Sequence, residues 1–253
     1  MRIPKYQIPK SQKLVIFSDV HDGAEHHDTE AWKEALRWCK DSDAAIFLNG
    51  DLMNNASTNG KNAGEKLLEQ ISHPHQQVKS LVSALKPFAK RGRIVGITRG
   101  NHEAWSRRES MIDLCEIIAE MLEVPYLRLG GYIQFQSGPH LYTGGIQHGR
   151  SSSKNIWGEL DRLMKDVYTE ADFVAAGHNH ALDARMISRL SIKDGFEGVE
   201  PRWQIRTGTY LGYADYAREL ALAPSALGSP VITFSSGKQR SMDVCVKTLR
   251  WLR

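Results

Sequence analysis

The sequence predicts an α/β fold in which two β-sheets pack face to face with helices outside, and three observations lead there. The 253 residues are 41% hydrophobic and 25% charged, enough apolar matter for one sizeable core. Short β-branched runs alternate with helical periodicity over about the first 180 residues. After them the sequence turns strand-rich, and that succession suggests stacked sheets with outer helices. No internal repeat, linker or low-complexity segment interrupts the chain, so one domain over residues 1–253 is expected.

Taken in order, residues 1–12, with Pro4 and Pro9, read as an extended lead-in. Lys13–Ser18 is an apolar strand. Asp28-Thr29-Glu30 resembles a helix start, with Trp32, Ala35, Leu36 and Cys39 sharing one face of the next turns. Ala44–Leu48 is a second strand. The polar stretch Asn54–Gly64 has no periodicity and is expected to be a mobile loop. Leu67, Leu68, Ile71, Val78, Leu81, Val82 and Leu85 then recur at helical spacing, with His73-Pro74-His75 breaking or kinking the run. Arg93–Thr98 is a third strand.

The second half continues the alternation. A helix over Glu109–Glu123 would bury Ile112, Cys115, Ile118, Ala119 and Leu122. Tyr126–Leu129, Tyr132–Gln136 and His140–Thr143 are short strands separated by Gly-Gly and Ser-Gly-Pro turns. Ile156, Leu160, Leu163, Met164 and Val167 mark another helix, and Asp172–Ala176 another strand. Leu182–Ile192, Arg202–Thr207, Val231–Phe234 and Met242–Leu249 complete the strand-rich part.

Composition narrows the function classes. A net charge of +4 and a pI near 8.9 permit an anionic substrate without demanding one. Three scattered cysteines, Cys39, Cys115 and Cys245, argue against a disulfide framework and a thiolate zinc site. The N-terminus lacks the apolar region of a signal peptide, and no apolar run reaches transmembrane length. The expected compartment is cytoplasmic.

Function is written at the strand ends. In chain order they carry Asp19 and His21, then Asp51, then Asn101 and His102, then His148, then His178 and His180. Ligands in open α/β sheets bind at the carboxyl ends of strands. Residues two apart after an extended strand point to the same side, so Asp19-x-His21 and His178-x-His180 can each face one point. Two carboxylates, an amide oxygen and several imidazoles form an oxygen/nitrogen set without sulfur, which suits manganese, iron, nickel or zinc better than magnesium. There are too many candidates for one ion. A pair of divalent ions bridged by a carboxylate accommodates them, and its surplus charge would stabilise a hydroxide and attract a phosphate.

The ordered blocks Asp19-Val20-His21, Gly50-Asp51, Gly100-Asn101-His102-Glu103, His148 and Gly177-His178-Asn179-His180 resemble the calcineurin-like metallophosphoesterase superfamily. The resemblance implies a four-layer αββα sandwich. It implies that Asp19, His21 and His180 hold one metal, that Asn101, His148 and His178 hold the other, and that Asp51 bridges them. His102 would contact the phosphate and protonate the leaving oxygen. Thr207-Gly208-Thr209 loosely matches a later turn of the family. The protein-phosphatase branch carries Gly-Asp-x-x-Asp-Arg-Gly, whereas this chain has Gly50-Asp51-Leu52-Met53-Asn54-Asn55, which argues against a protein phosphatase.

Around these blocks, Asn54, Arg107, Arg108 and Arg150 are the candidate substrate-binding residues, with Arg99 and Lys154 in the same basic neighbourhood. Asp22 is as readily an orienting partner of a ligand imidazole as a turn residue. His26 and His27 read as a solvated pair at a helix start, and His73 and His75 as surface residues. Tyr210, Tyr213, Tyr216 and Trp203 read as packing residues before base-stacking ones. The expected activity is hydrolysis of a phosphodiester, in a nucleotide or nucleic acid, by in-line attack of a metal-bridging hydroxide. Manganese is the favoured metal. The alternatives are a monoesterase acting on a small metabolite and a non-catalytic scaffold on the same fold.

Overall fold

The structure is a computed structural model and describes residues 2–56, 67, 70–151, 153, 155–193, 195–213 and 224–248. Residues 57–64 of the expected mobile loop, together with Leu68, Lys154, Tyr216 and Leu249, lie outside the described residues.

Strands β1 (Lys5–Gln7), β2 (Lys13–Phe17), β3 (Ala45–Asn49), β4 (Ile94–Thr98), β5 (Gly131–Ser137), β6 (His140–Gln147), β7 (Phe173–Ala176), β8 (Leu182–Lys193), β9 (Phe196–Thr207), β10 (Gly228–Phe234) and β11 (Met242–Thr248) form two mixed sheets. One has the order β11-β10-β2-β3-β4, and the other β1-β5-β6-β7-β9-β8. In the first, β2, β3 and β4 run parallel while β10 is antiparallel to β2 and β11. In the second, β6, β7 and β9 run parallel. Of these six strands, β2, β3, β4, β6 and β7 end at the rim that carries the sequence blocks.

Alternation along the strands builds the layers. Leu14, Ile16, Ala45, Phe47, Val95 and Phe234 meet Ile133, Phe135, Tyr142, Ile146, Phe173 and Ile205 between the sheets. The intervening residues of β2 and β3, Val15, Phe17, Ile46 and Leu48, face outward into a second core. Helices α1 (Thr29–Asp41), α2 (Pro74–Ala89) and α4 (Leu114–Leu122) cover that face with Trp32, Leu36, Leu81, Leu85, Cys115 and Ile118. On the outer face of the other sheet, α5 (Gly158–Arg162) and a π-helical turn (Leu163–Val167) bury Leu160, Leu163 and Met164 against Val174 and Ala176. The result is the expected four layers, αββα.

Local chemistry sets the helix ends. The Asp28 carboxylate accepts the Ala31 N–H at 2.9 Å and caps α1. Pro74 sits in the first turn of α2, where its missing N–H costs nothing. The His73-Pro74-His75 break is thus a helix start, and Ile71, which precedes it, is 71% exposed, outside the stripe that periodicity assigned it. The expected helix over 109–123 is instead two. A further helix, α3 (Asn101–Ser110), follows β4 directly, and Met111 in the left-handed region separates it from α4. Ile112 falls in that break, 48% exposed. Val167, counted in the next helix's buried stripe, is also 48% exposed.

Two strand expectations also change. The lead-in holds β1, which pairs with β5. Residues 126–129 form no strand, since only an isolated bridge joins Tyr126 to Ile97. β8 and β9 form a long antiparallel hairpin whose outer part leaves Met186, Leu190, Ile192, Phe196 and Val199 exposed.

Candidate metal centre

The rim where the parallel strands end gathers every residue of the five sequence blocks. Asp19 and His21 follow β2, Asp51 follows β3, Asn101 and His102 open α3 after β4, His148 follows β6, and His178 and His180 follow β7. Backbone hydrogen bonds lash these loops together: Asp19 N–H to Gly50 O at 3.1 Å, His21 N–H to Asp51 O at 3.0 Å, and Gly177 N–H to His148 O at 2.8 Å. Asp19, His21, Asp51, His178 and His180 all have φ between 48° and 69°, the left-handed region that L-residues other than glycine enter at a cost. Gly100 permits the closest approach. A Cβ there would lie 2.1 Å from Asp51 Oδ1.

Three overlapping donor groups result: Asp19 with His21 and His180, His21 with Asp51 and His102, and Asp51 with His148 and His178. In the first, His180 Nε2 lies 3.4 Å and His21 Nε2 4.0 Å from Asp19 Oδ1, and the two imidazole nitrogens are 3.3 Å apart. In the third, His148 Nε2 is 3.1 Å from Asp51 Oδ2. Asn101 Oδ1 lies between imidazoles, 3.1 Å from His148 Nε2 and 2.6 Å from His178 Nδ1. Asp51 belongs to both halves, and its Oδ1 accepts the His102 N–H at 2.9 Å.

Electrostatics tests whether cations fit. Asp19 Oδ2 accepts the His178 N–H at 3.0 Å, but its buried Oδ1 has no hydrogen-bond donor and faces two imidazole nitrogens. An unpaired carboxylate oxygen at 0% exposure is expensive unless positive charge meets it. Burial opposes ionisation of Asp19 and Asp51, yet the surrounding imidazoles hold both carboxyls below the usual range. Burial also works against a charged His148, but Asp51 and Asp19 outweigh it and push its pKa up to about 10. His148 Nδ1 donates to Asn49 O at 2.8 Å, which fixes the ring's orientation and turns Nε2 toward the acceptors Asp51 Oδ2 and Asn101 Oδ1. The site therefore asks for positive charge between acceptor atoms. Divalent ions answer that demand, and the donors fit a pair of them.

His102 shares a donor group with His21 and Asp51 but is held differently from the other imidazoles. Its Nδ1 donates to Asn54 O at 2.5 Å, which leaves Nε2 toward His21 and Asp51, and burial lowers its pKa. Trp105, one turn along α3, packs on the His102 ring with centroids 4.1 Å apart.

The other candidates are distributed differently. Asn54 is buried and meets His102 through its backbone carbonyl. Asn55 Nδ2 donates to His102 O at 2.6 Å. Arg107 and Arg108 are exposed on α3, and Arg150 is exposed just beyond His148. Arg99 is not available to a phosphate, because its guanidinium pairs with Asp113 at 2.5 Å with both side chains below 10% exposure. Asp22 does not touch His21. It lies 3.7 Å from His27 Nδ1 and 3.4 Å from Ser80 Oγ. The expectation of a solvated His26–His27 pair fails too, since the His27 side chain is 4% exposed and both Nε2 atoms are buried. Tyr210 is core, edge-on to Phe17 and Trp32.

Sequence reading passed over Glu103. Its buried carboxylate accepts the N–H groups of Asp51 at 3.1 Å, Leu52 at 2.7 Å, Met53 at 3.1 Å and Gly100 at 2.9 Å. That grip holds the Asp51 loop on the first turn of α3, and a carboxylate three residues after the glycine was its signal. Thr209 Oγ1 donates to Asp19 O at 2.8 Å, which brings the Thr207-Gly208-Thr209 turn against the first block.

Against known proteins, the calcineurin-like phosphoesterase family matches residues 12–182. The chain belongs to this family. The match spans all five blocks, so the phosphoesterase relationship and the converging donors concern the same residues, and in general terms the protein is a metal-dependent phosphoesterase. Among solved structures, Vps29 of Entamoeba histolytica, complexed with zinc, is 11% identical with a TM-score of 0.41, over 92% of this chain and 98% of that one. A conserved uncharacterized protein of Streptococcus pneumoniae, described as a predicted phosphoesterase, is 14% identical with a TM-score of 0.39, over 93% and 89%. A hypothetical protein of Thermus thermophilus is 15% identical with a TM-score of 0.41, over 93% and 99%. No curated protein matches this chain. Among the described residues no helix is long and apolar enough to cross a membrane.

Proposed function

We propose that this phosphoesterase is a two-metal phosphodiesterase acting on a nucleotide or nucleic acid. The observation that carries the metal half is the placing of Asp51: it groups with His148 and His178 on one side and with His21 on the other, and His21 in turn groups with Asp19 and His180. Asp19, His21 and His180 would hold one ion, and Asn101, His148 and His178 the other. The sulfur-free donor set favours manganese, with iron, nickel or zinc as alternatives. Two divalent ions in such a site supply Lewis acidity and an activated water.

This chain's own residues do the rest. The Asn54 carbonyl orients His102, so that Nε2 is the atom that hands a proton to the leaving oxygen. That transfer needs the imidazolium, with Nδ1–H kept on the Asn54 carbonyl; burial lowers the His102 pKa, which makes this form more acidic and also scarcer. The diester half rests on α3. Arg107 and Arg108 lie five and six residues beyond His102 on the same helix, about 8–9 Å along its axis, and are exposed where the flanking phosphates of a polymer could reach them. The three cysteines are unpaired, in keeping with a cytoplasmic setting.

The deciding experiment compares nitrophenyl phosphate with bis-nitrophenyl phosphate under one manganese concentration. Preference for the diester supports the proposal. Fast monoester cleavage with sluggish diester attack would overturn it in favour of a monoesterase, and inert, metal-free protein would favour a scaffold.

A further inference from the structure

Beneath the second ion's half of the site lies an ion pair to which neither the sequence blocks nor the proposed chemistry gives a role. Arg206, on β9, has a side chain at 0% exposure, and its Nη1 is 3.1 Å from Glu159 Oε2 at 3% exposure. The pair's remaining bonds go to the two loops that carry His148 and His178. Glu159 Oε1 accepts the Arg150 N–H at 2.8 Å, two residues past His148. Arg206 Nη1 also reaches Gly177 O at 3.3 Å, the residue before His178, and its Nε donates to Ile156 O at 2.6 Å. Gly149, with φ +92°, lets the loops close on the pair. A Cβ there would stand 3.1 Å from Glu159 Oε2 and 3.4 Å from Gly177 O.

As a source of stability this pair is a poor choice. Burying two charges costs desolvation that their attraction barely returns, and apolar replacements of similar volume are often as stable. Arg206 Nη2 is moreover buried with no hydrogen-bond partner. Its placement explains it better than its energy does. We propose that Glu159 and Arg206 are positioning residues that set the separation of His148 and His178, whose rings stand 5.6 Å apart at 74°, and so set the affinity of the second metal ion. This rests on the two-ion reading above.

The test uses the full chain, with manganese as the probe, titrated by calorimetry and counted by elemental analysis. The variants are Arg206→Lys, which keeps the charge but loses the fork that spans Glu159, Gly177 and Ile156, and the double substitution Glu159→Leu with Arg206→Met, which removes both charges together. Thermal unfolding shows whether each folds. The double variant is expected to unfold near the wild-type temperature, to keep one ion at wild-type affinity, and to bind the second about 10–100-fold more weakly. Arg206→Lys should show the same selective loss, which keeps the test standing if the double variant does not fold. Two ions bound at wild-type affinity in either folded variant would overturn the positioning role. Equal weakening of both ions would also overturn it, as the mark of a merely structural pair. Fewer than two ions on the wild-type protein would instead overturn the two-ion reading, and this inference with it.

Discussion

At the scale of single residues, Asp51 and His102 make opposite predictions. Asp51 belongs to two donor groups, so Asp51→Asn should lower occupancy at both sites and nearly abolish turnover. His180→Ala should cost mainly the ion held with Asp19. Metal per chain, by elemental analysis, checks both, and two ions with near-normal activity in Asp51→Asn would refute the bridge. His102 holds its Nδ1 on the Asn54 carbonyl, so His102→Ala should keep both ions. Its rate should fall by about 10²–10⁴-fold on a diester with a poor leaving group, and far less with nitrophenol, which needs little protonation. Equal losses on the two substrates would rule out proton donation. These residues were legible because the chemistry needs particular side chains at particular spacings. Arg99 was misjudged because its sequence neighbours say nothing of Asp113, fourteen residues on, which takes its charge. His26 and His27 were misjudged likewise, since Leu211 and Gly212, which pair with their backbone, come from far along the chain.

At the scale of elements, α3 was invisible and matters most. Its only buried residue is Glu103, so it has no apolar stripe, and periodicity cannot find a helix without one. What anchors its first turn is the Glu103 carboxylate, which closes on the Gly100 N–H and three N–H groups of the Asp51 loop. Glu103→Ala strands those donors in a buried site, where each costs about 1–3 kcal/mol if water cannot replace the acceptor. The variant should therefore lose at least about 2 kcal/mol in urea unfolding, whereas Glu103→Gln, which keeps an acceptor oxygen, should lose less. A Glu103→Ala protein as stable as wild type would show that water enters. The same helix carries the test of substrate. Neutralising Arg107 and Arg108 together should flatten the salt dependence of nucleic-acid binding by about one to two units and leave hydrolysis of bis-nitrophenyl phosphate nearly unchanged. An unaltered slope would remove α3 from the substrate path. The apolar elements α1, β2 and β3 needed no such correction, because their burial follows directly from which residues repeat.

At the scale of the whole molecule, the layered fold was legible from strand–helix alternation, and so was β8, while the edge strand β1 and the outer half of β9 were not. β1 is three residues long, too short for any alternation to declare itself, and the outer half of β9 buries too little to leave a pattern. Metal removal is the measurement that belongs here. Two acidic side chains at about 0–1% exposure are costly without cations, so ions that bind only the folded chain should stabilise it. Manganese at 100-fold above its dissociation constant adds about 2.7 kcal/mol per site, which for a chain of this size raises the melting temperature by several degrees. Calorimetry with manganese and with a chelator checks this, and identical melting temperatures would count against any bound pair.

Because the five strand ends that carry the donors share one rim, the opposite rim is free of that duty. There the chain turns at Arg91-Gly92-Arg93 before β4 and at Gly138-Pro139 between β5 and β6. A Cβ on Gly92 would meet nothing within 4 Å, although its φ of +63° suits glycine, so new sequence belongs after Gly92 and not in its place. The fold thus offers a permissive edge where new sequence can be grafted, such as a tag, a tether or a second module, without entering the chemistry. A short polar insertion after Gly92 should leave ion content and turnover intact. The same insertion after Gly149, on the crowded rim, should abolish both.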